Sequence, residues 1–229
     1  MDGSQYFKSI LKVSAQIKDY KESFGLIHYW PIENGTTRDL VGSKYLQEPN
    51  NTNFEPDRFG NNKSVLSFNH GFIMAPRGVY FENEFTVLLW IKLRSYQSWQ
   101  RLLDFSNGNY NDSVLVSLSD GDNKIKFNVR NNAILEIQSI EFLELNKWYH
   151  LGFSFRKETM TIYRNSQFIE KFNTEASNLS LNVQREYCYF GKSFWDRDPF
   201  GDFECDEIKF FNKALDTLDI QSEYFNGYF

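Results

Sequence analysis

From Leu26 onward the apolar residues of this chain recur at every second position, in short segments closed by Gly, Asn or Asp. That period restricts the fold more than any other feature, because alternate side chains of an extended segment point to opposite faces. One face of each segment can then enter a core while the other meets solvent. Strands are predicted over 26–30, 64–68, 72–75, 85–93, 101–105, 113–118 and 124–129, and over 134–137, 148–155, 160–163, 167–171, 187–192 and 203–211. Many short strands joined by turns form a sandwich or a barrel. The turn residues agree. Asp120-Gly121-Asp122-Asn123 separates two strands, and Asn165-Ser166 closes a tight hairpin. After the last strand, Asp216 precedes a segment 217–225 in which Leu218, Gln221, Ser222 and Phe225 share one face, which predicts a short capped helix.

Residues 1–24 follow another rule. Tyr6, Ile10, Val13, Ile17, Tyr20 and Phe24 recur at spacings of four and three, the stripe of an amphipathic helix. Such a stripe packs on its own domain or docks in a partner's groove. The expected division is therefore a helix or leader over 1–24 and a β-sandwich over 25–229. Two apolar pairs separated by polar residues do not make the continuous apolar region of a secretory signal. Five Asn-x-Ser/Thr sites, at Asn34, Asn50, Asn62, Asn111 and Asn178, point the other way, toward an extracellular setting, and the compartment stays open.

Composition removes several classes of function. A net charge of −5 without a basic cluster argues against nucleic-acid binding, which rests on phosphate neutralisation. The longest unbroken apolar run, Val87 to Ile91, is far too short to span a membrane as a helix. There are two cysteines, Cys188 and Cys205, too few for a four-cysteine metal site. If the segment between their strands is a hairpin connection, the two strands are neighbours and a bridge between them stabilises by roughly 3 kcal/mol. The alternative is two buried thiols. In the strand at 148–155, His150 alternates with the apolar set and is expected on a polar or partly covered face.

Four ordered segments resemble the laminin G-like branch of the concanavalin A-like lectin/glucanase superfamily. They are residues 26–31 with Asp39; 64–71 followed by 85–92; 148–155 with 160–165; and 190–192 followed by 205–215. The resemblance implies an all-β fold, a two-sheet antiparallel jelly-roll sandwich, here with a short amphipathic helix before it and a short helix after it. Family calcium sites use the Asp of a Phe-Asp-Gly turn, where this chain has Asn69, so Ca²⁺ is no more than an optional cofactor. Glucanases of the superfamily carry Glu-x-Asp-x-x-Glu; here Glu204-x-Asp206 is followed by Lys209 at the third acidic position. Glycoside hydrolysis needs two carboxyl groups flanking the sugar bond, so the chain is expected not to be an enzyme. The residues of that strand also predict a β-bulge at Asp206-Glu207, since Cys205 and Ile208 are three apart and both apolar.

The segment from Ser193 to Asp202 is the best candidate site. It gathers Phe194, Trp195, Asp196, Asp198, Phe200 and Asp202, rings for stacking on a sugar and carboxylates for its hydroxyls or for Ca²⁺. Tyr96 and Trp99 are secondary candidates. The preferred expectation is a non-catalytic module for protein interaction, or a structural subunit of an assembly, docking through Tyr6, Ile10, Val13, Ile17 and Tyr20. The alternative is a lectin-like module that binds carbohydrate through the loop 193–202.

Overall fold

The alternating pattern becomes thirteen antiparallel strands, with a 3-10 turn at Glu33–Gly35 and a C-terminal helix, among the residues that a computed structural model describes: 24–108, 112–131, 133–157, 159–173 and 179–226. The strands are β1 (Leu26–Trp30), β2 (Gln47–Glu55), β3 (Val65–Met74), β4 (Glu84–Leu93), β5 (Gln100–Ser106), β6 (Ser113–Ser119) and β7 (Lys124–Arg130). The series continues with β8 (Ile134–Phe142), β9 (Trp148–Arg156), β10 (Thr159–Arg164), β11 (Gln167–Asn173), β12 (Tyr187–Phe190) and β13 (Gly201–Phe211), followed by helix α1 (Thr217–Asn226). The docking stripe Tyr6, Ile10, Val13, Ile17 and Tyr20 lies outside the described residues.

Hydrogen bonding is continuous along β11-β10-β9-β4-β13-β3-β12-β5-β6-β7-β8, with β1 beside β13 and β2 beside β3. The ladder bends between β3 and β12, so that a first half (β11 to β3) faces a second half (β12 to β8) and β11 comes against β8. This is the predicted sandwich. Its core joins both halves through rings: Phe85 to Phe127 at 6.1 Å, Phe127 to Phe153 at 5.6 Å and Phe105 to Phe210 at 5.7 Å between centroids. Burying each such ring contributes roughly 1.5–3 kcal/mol, and the 23 Phe suit the pleated, half-buried surface of strands. Asp39 ties down β1 by accepting from the Tyr29, Val41 and Gly42 N–H groups and by pairing with His28 at 2.7 Å. Burial acts to raise its carboxyl, but the His28 and backbone bonds outweigh it and hold the carboxyl below the usual range.

Helix α1 covers the outer face of the first half. Asp216 caps it, accepting the Leu218 and Asp219 N–H groups at 2.9 Å. Ile220 then packs on Leu26, Leu88, Tyr163, Phe211 and Leu215, with Phe24 against the same cluster. Tyr224 stacks on Trp90 at 5.5 Å.

Several details correct the sequence reading. The segments 64–68 and 72–75 are one strand, β3, because His70 in a left-handed conformation bends the strand without ending it. The unforeseen β2 reads Gln-Glu-Pro-Asn-Asn-Thr-Asn-Phe-Glu and has no apolar alternation. It pairs only with β3, through two irregularities in register at its Gln47–Thr52 end. His150 is only 4% exposed, packed between Trp90 and Tyr224 rather than on an uncovered face. Burial, reinforced by Lys209 and Arg58, pushes its imidazole down to about 3. Cys188 and Cys205 are free and buried. Their strands are not neighbours: β3 runs between β12 and β13, and Cys188 lies level with Ala75 while Cys205 lies level with Leu66. Nine residues of strand separate those levels, about 30 Å, far beyond the span of a disulfide.

Candidate functional site

The outer face of the second half carries polar side chains in register. On β5, β6 and β7 the inward positions are Leu103, Phe105, Val114, Val116, Leu118, Ile125, Phe127 and Val129, all in the core. Alternation sends Asp104 and Ser106, then Ser113, Leu115 and Ser117, then Lys126, Asn128 and Arg130 to the opposite face, and an irregularity in register between Arg101 and Leu103 brings Arg101 to that side as well. The pairing sets them in rows: Arg101, Ser117 and Lys126; Asp104, Leu115 and Asn128; and, one step on, Ser113 and Arg130. Strand β12 adds Tyr187 beside Ser106 and Tyr189 beside Asp104.

The segment after β12 returns over this face. Gly191, at φ +78, permits the turn, and a Cβ there would lie 2.6 Å from the Gly71 carbonyl oxygen. Phe194 then donates its N–H to Asp104 Oδ2 at 3.1 Å and places its ring 5.0 Å from Tyr187. Trp195 lies beside Arg101, its ring 5.9 Å from the guanidinium. Asp198 bonds Arg101 Nη2 at 2.8 Å. Trp99, 40% exposed, approaches the same guanidinium at 5.8 Å, and Lys126 Nζ lies 5.3 Å from its ring. Arg101 is therefore a hub with an indole at each of two approaches, and Ser117 Oγ and the Trp99 carbonyl also accept from it.

Among the predicted residues, Phe194, Trp195, Asp198 and Trp99 meet around β5. Asp196 is exposed at the loop tip. Asp202 turns away to Arg94 Nε at 2.9 Å and also bonds Ser95, so the three aspartates do not converge on one point. Phe200 packs 5.3 Å from Phe72. Tyr96 packs on the core and donates to the Leu143 carbonyl, a structural role. Sequence reading missed Arg101, Asp104, Lys126, Tyr187 and Tyr189. Their only signal was polar or amphipathic residues at alternate positions of apolar strands. Burial raises the Asp104 carboxyl, opposed by the Phe194 N–H and by Arg101.

The second predicted feature, the bulge in β13, is present. Asp206 pairs with Trp90 and Lys209 with Leu88, so two residues oppose one, and Glu207 takes φ 53. Cys205, Ile208 and Phe210 all reach the core as expected. The carboxylates it displaces are engaged by the protein. Asp206 bonds Arg58 Nη1 at 2.8 Å, and Glu207 accepts from Tyr29 Oη at 2.7 Å. Lys92 bonds Glu204 at 2.6 Å, and Lys209 bonds Glu223 at 2.8 Å. Burial, with Glu207 adding to it, pushes Asp206 up to about 8 despite Arg58. A cavity of about 510 Å³ opens beside the bulge, lined in part by Glu33, Asp57, Arg58 and Phe59. Among the described residues no group of three or more His, Cys, Asp or Glu side chains is placed to hold a metal ion.

Residues 68–221 match the Laminin_G_3 family, described as the concanavalin A-like lectin/glucanases superfamily. No curated protein matches the sequence significantly. Among solved structures, the fold is similar to domain 4 of AbnA, a GH43 extracellular arabinanase from Geobacillus stearothermophilus, in complex with arabinotriose. The TM-score is 0.70 at 17% identity, over 87% of this chain and 98% of that one. It is similar to botulinum neurotoxin type C, whose cell entry is dependent upon interaction with two ganglioside molecules, at TM-score 0.65 and 17% identity over 93% and 52% of the two chains. It is also similar to the binding domain of botulinum neurotoxin DC in complex with rat synaptotagmin II, at TM-score 0.65 and 16% identity over 88% and 51%. This chain thus spans about half the length of the two toxin chains. At these identities the likeness establishes a shared fold.

Proposed function

This chain belongs to the concanavalin A-like lectin/glucanases superfamily, and from that membership and the face built around Arg101 we propose that it is a non-catalytic carbohydrate-binding module. The observation that carries the reading is the pair of indoles, Trp99 and Trp195, flanking a guanidinium anchored by Asp198. A sugar ring presents C–H groups on its faces and hydroxyls at its rim. The indoles, Trp99 exposed and Trp195 half-buried, take the first, while Lys126 and the polar side chains of β6 and β7 beneath the loop take the second. Arabinotriose and gangliosides as ligands of structurally similar proteins support the same class of ligand. The engaged carboxylates of β13 support a role without hydrolysis. Glycan-array binding that is lost in Trp195→Ala, with no turnover of the bound glycan, is the expected result; hydrolysis of it would overturn the reading.

A second reading, docking of a protein, is favoured by edge strand β8, where Ile134, Ile140 and Phe142 are 65%, 73% and 56% exposed. Residues 1–24, with Tyr6, Ile10, Val13, Ile17 and Tyr20 on one stripe, would add a docking helix. In that case Ile140→Glu or removal of residues 1–24 abolishes crosslinking to a partner in the native source, while Trp195→Ala leaves it intact.

A further inference from the structure

Four polar atoms in one part of the outer face of β5–β7 are buried without a hydrogen-bond partner: Asp104 Oδ1, Ser106 Oγ, Ser113 Oγ and Asn128 Nδ2. The four residues are each at most 2% exposed. Ser106 stands close enough to Asp104 to favour its charge, yet neither atom completes a well-formed bond. A buried polar atom left unmatched costs about 1–3 kcal/mol, and native domains keep few of them. These four are not scattered. The register sets Asp104, Leu115 and Asn128 in one row and brings Ser106 and Ser113 to the next. Three adjacent strands at about 4.8 Å spacing make a floor about 10 Å across.

The chemistry of the floor is specific. Asp104 Oδ1 accepts, Asn128 Nδ2 donates, and the two serine hydroxyls do either. Adjacent hydroxyls of a polyol, each both donor and acceptor, complement such a set. An anion would meet the Asp104 carboxylate, and a metal ion would find one carboxylate where it needs several. The loop already assigned to the site covers the Asp104 end of this floor. Phe194 lies over Gly108, where an added Cβ would come within 3.0 Å of its ring, and its N–H is held by Asp104 Oδ2, the partnered oxygen of the same carboxylate.

We propose that Asp104, Ser106, Ser113 and Asn128 form a subsite beneath Phe194 that reads adjacent hydroxyls of one sugar residue, with Trp99 and Trp195 holding the neighbouring part of the glycan. This rests on the carbohydrate-binding reading and gives it a floor. The segment 193–198 lifts for the sugar to enter, breaking the Phe194–Asp104 bond.

The test uses an array of neutral and sialylated oligosaccharides, read with the full chain, with Trp195→Ala and with the double variant Ser106→Ala/Ser113→Ala, alongside thermal melts. The double variant is expected to bind the recognised glycan about tenfold more weakly or worse, while its melting temperature stays level or rises, because two unmatched buried hydroxyls are gone. A side chain that merely stabilises the fold would give the opposite pair of results. If Trp195→Ala loses binding and the double variant keeps it within about twofold, the subsite is wrong and the wider reading stands. A fall in melting temperature with binding unchanged also overturns the subsite. If the unmodified chain binds nothing on the array, both ideas fall together.

Discussion

On the first half of the sandwich, the outward positions Leu88 and Trp90 disappear beneath α1, and the polar groups around them are closed into pairs: Lys92 with Glu204, Arg58 with Asp206, Lys209 with Glu223. On the second half, the equivalent outward positions are Arg101, Asp104, Ser113, Ser117, Lys126 and Asn128, overlain by a loop carrying Phe194 and Trp195. Both faces obey one alternation, and both bury the same kind of residue inward. They differ in what the outward residues ask for. Leucine and tryptophan ask for apolar cover, which the chain supplies from its own C-terminal helix. Aspartate, serine and asparagine ask for directed partners, and Asp104, Ser106, Ser113 and Asn128 each keep one buried atom without a well-formed bond. The first face is closed by the chain itself, and the second carries the proposed carbohydrate site.

That contrast can be broken by substitution. The largest effect is expected from Ile220→Ala, which hollows the cluster under α1 and should cost about 2–5 kcal/mol in a denaturant titration while glycan binding is retained. Next comes pH. Asp206 has a folded-state pKa of about 8 against an ordinary value of 3.8. A carboxyl raised by folding favours the fold while protonated, so its contribution is fully present below about pH 4 and is lost as pH rises through about 8. Glu33, raised by burial and then by Glu207, has the same sign. Asp206→Asn, neutral throughout, should flatten the loss of stability between about pH 4 and 8, measured by urea midpoints at several pH values. A steeper loss in the variant would refute this. Asp216→Ala removes the cap of α1 and should cost about 1 kcal/mol. Smallest of all, Trp99→Ala on the second face should change stability by less than about 0.5 kcal/mol, and a larger loss would mean that the second face is also structural.

The division of labour was only half legible in the sequence. Alternation revealed the strands, since every second residue of β4, β6 and β9 is apolar, and the three-residue step from Cys205 to Ile208 revealed the bulge before any coordinates. The cap at Asp216 and the Asn165-Ser166 turn were equally local, and both turn residues take positive φ. Strand β2 escaped because an edge strand held by one neighbour needs no buried alternation. The loop 193–202 was legible as a concentration of rings and acids. The surface it lies on was not, because Arg101, Ser117 and Lys126 become neighbours only through cross-strand register. The same ignorance of strand order misplaced the cysteines: a connection that resembled a hairpin passes over β3.

The ladder that runs unbroken from β11 to β8 joins the two halves of the sandwich into one rolled sheet, with a seam where β11 comes against β8. At that seam no strand pairing joins β8 to β11 among the described residues, and Ile140, Phe142 and Phe168 face water. A pull applied across the roll is therefore resisted by backbone bonds everywhere else and by side-chain packing only there.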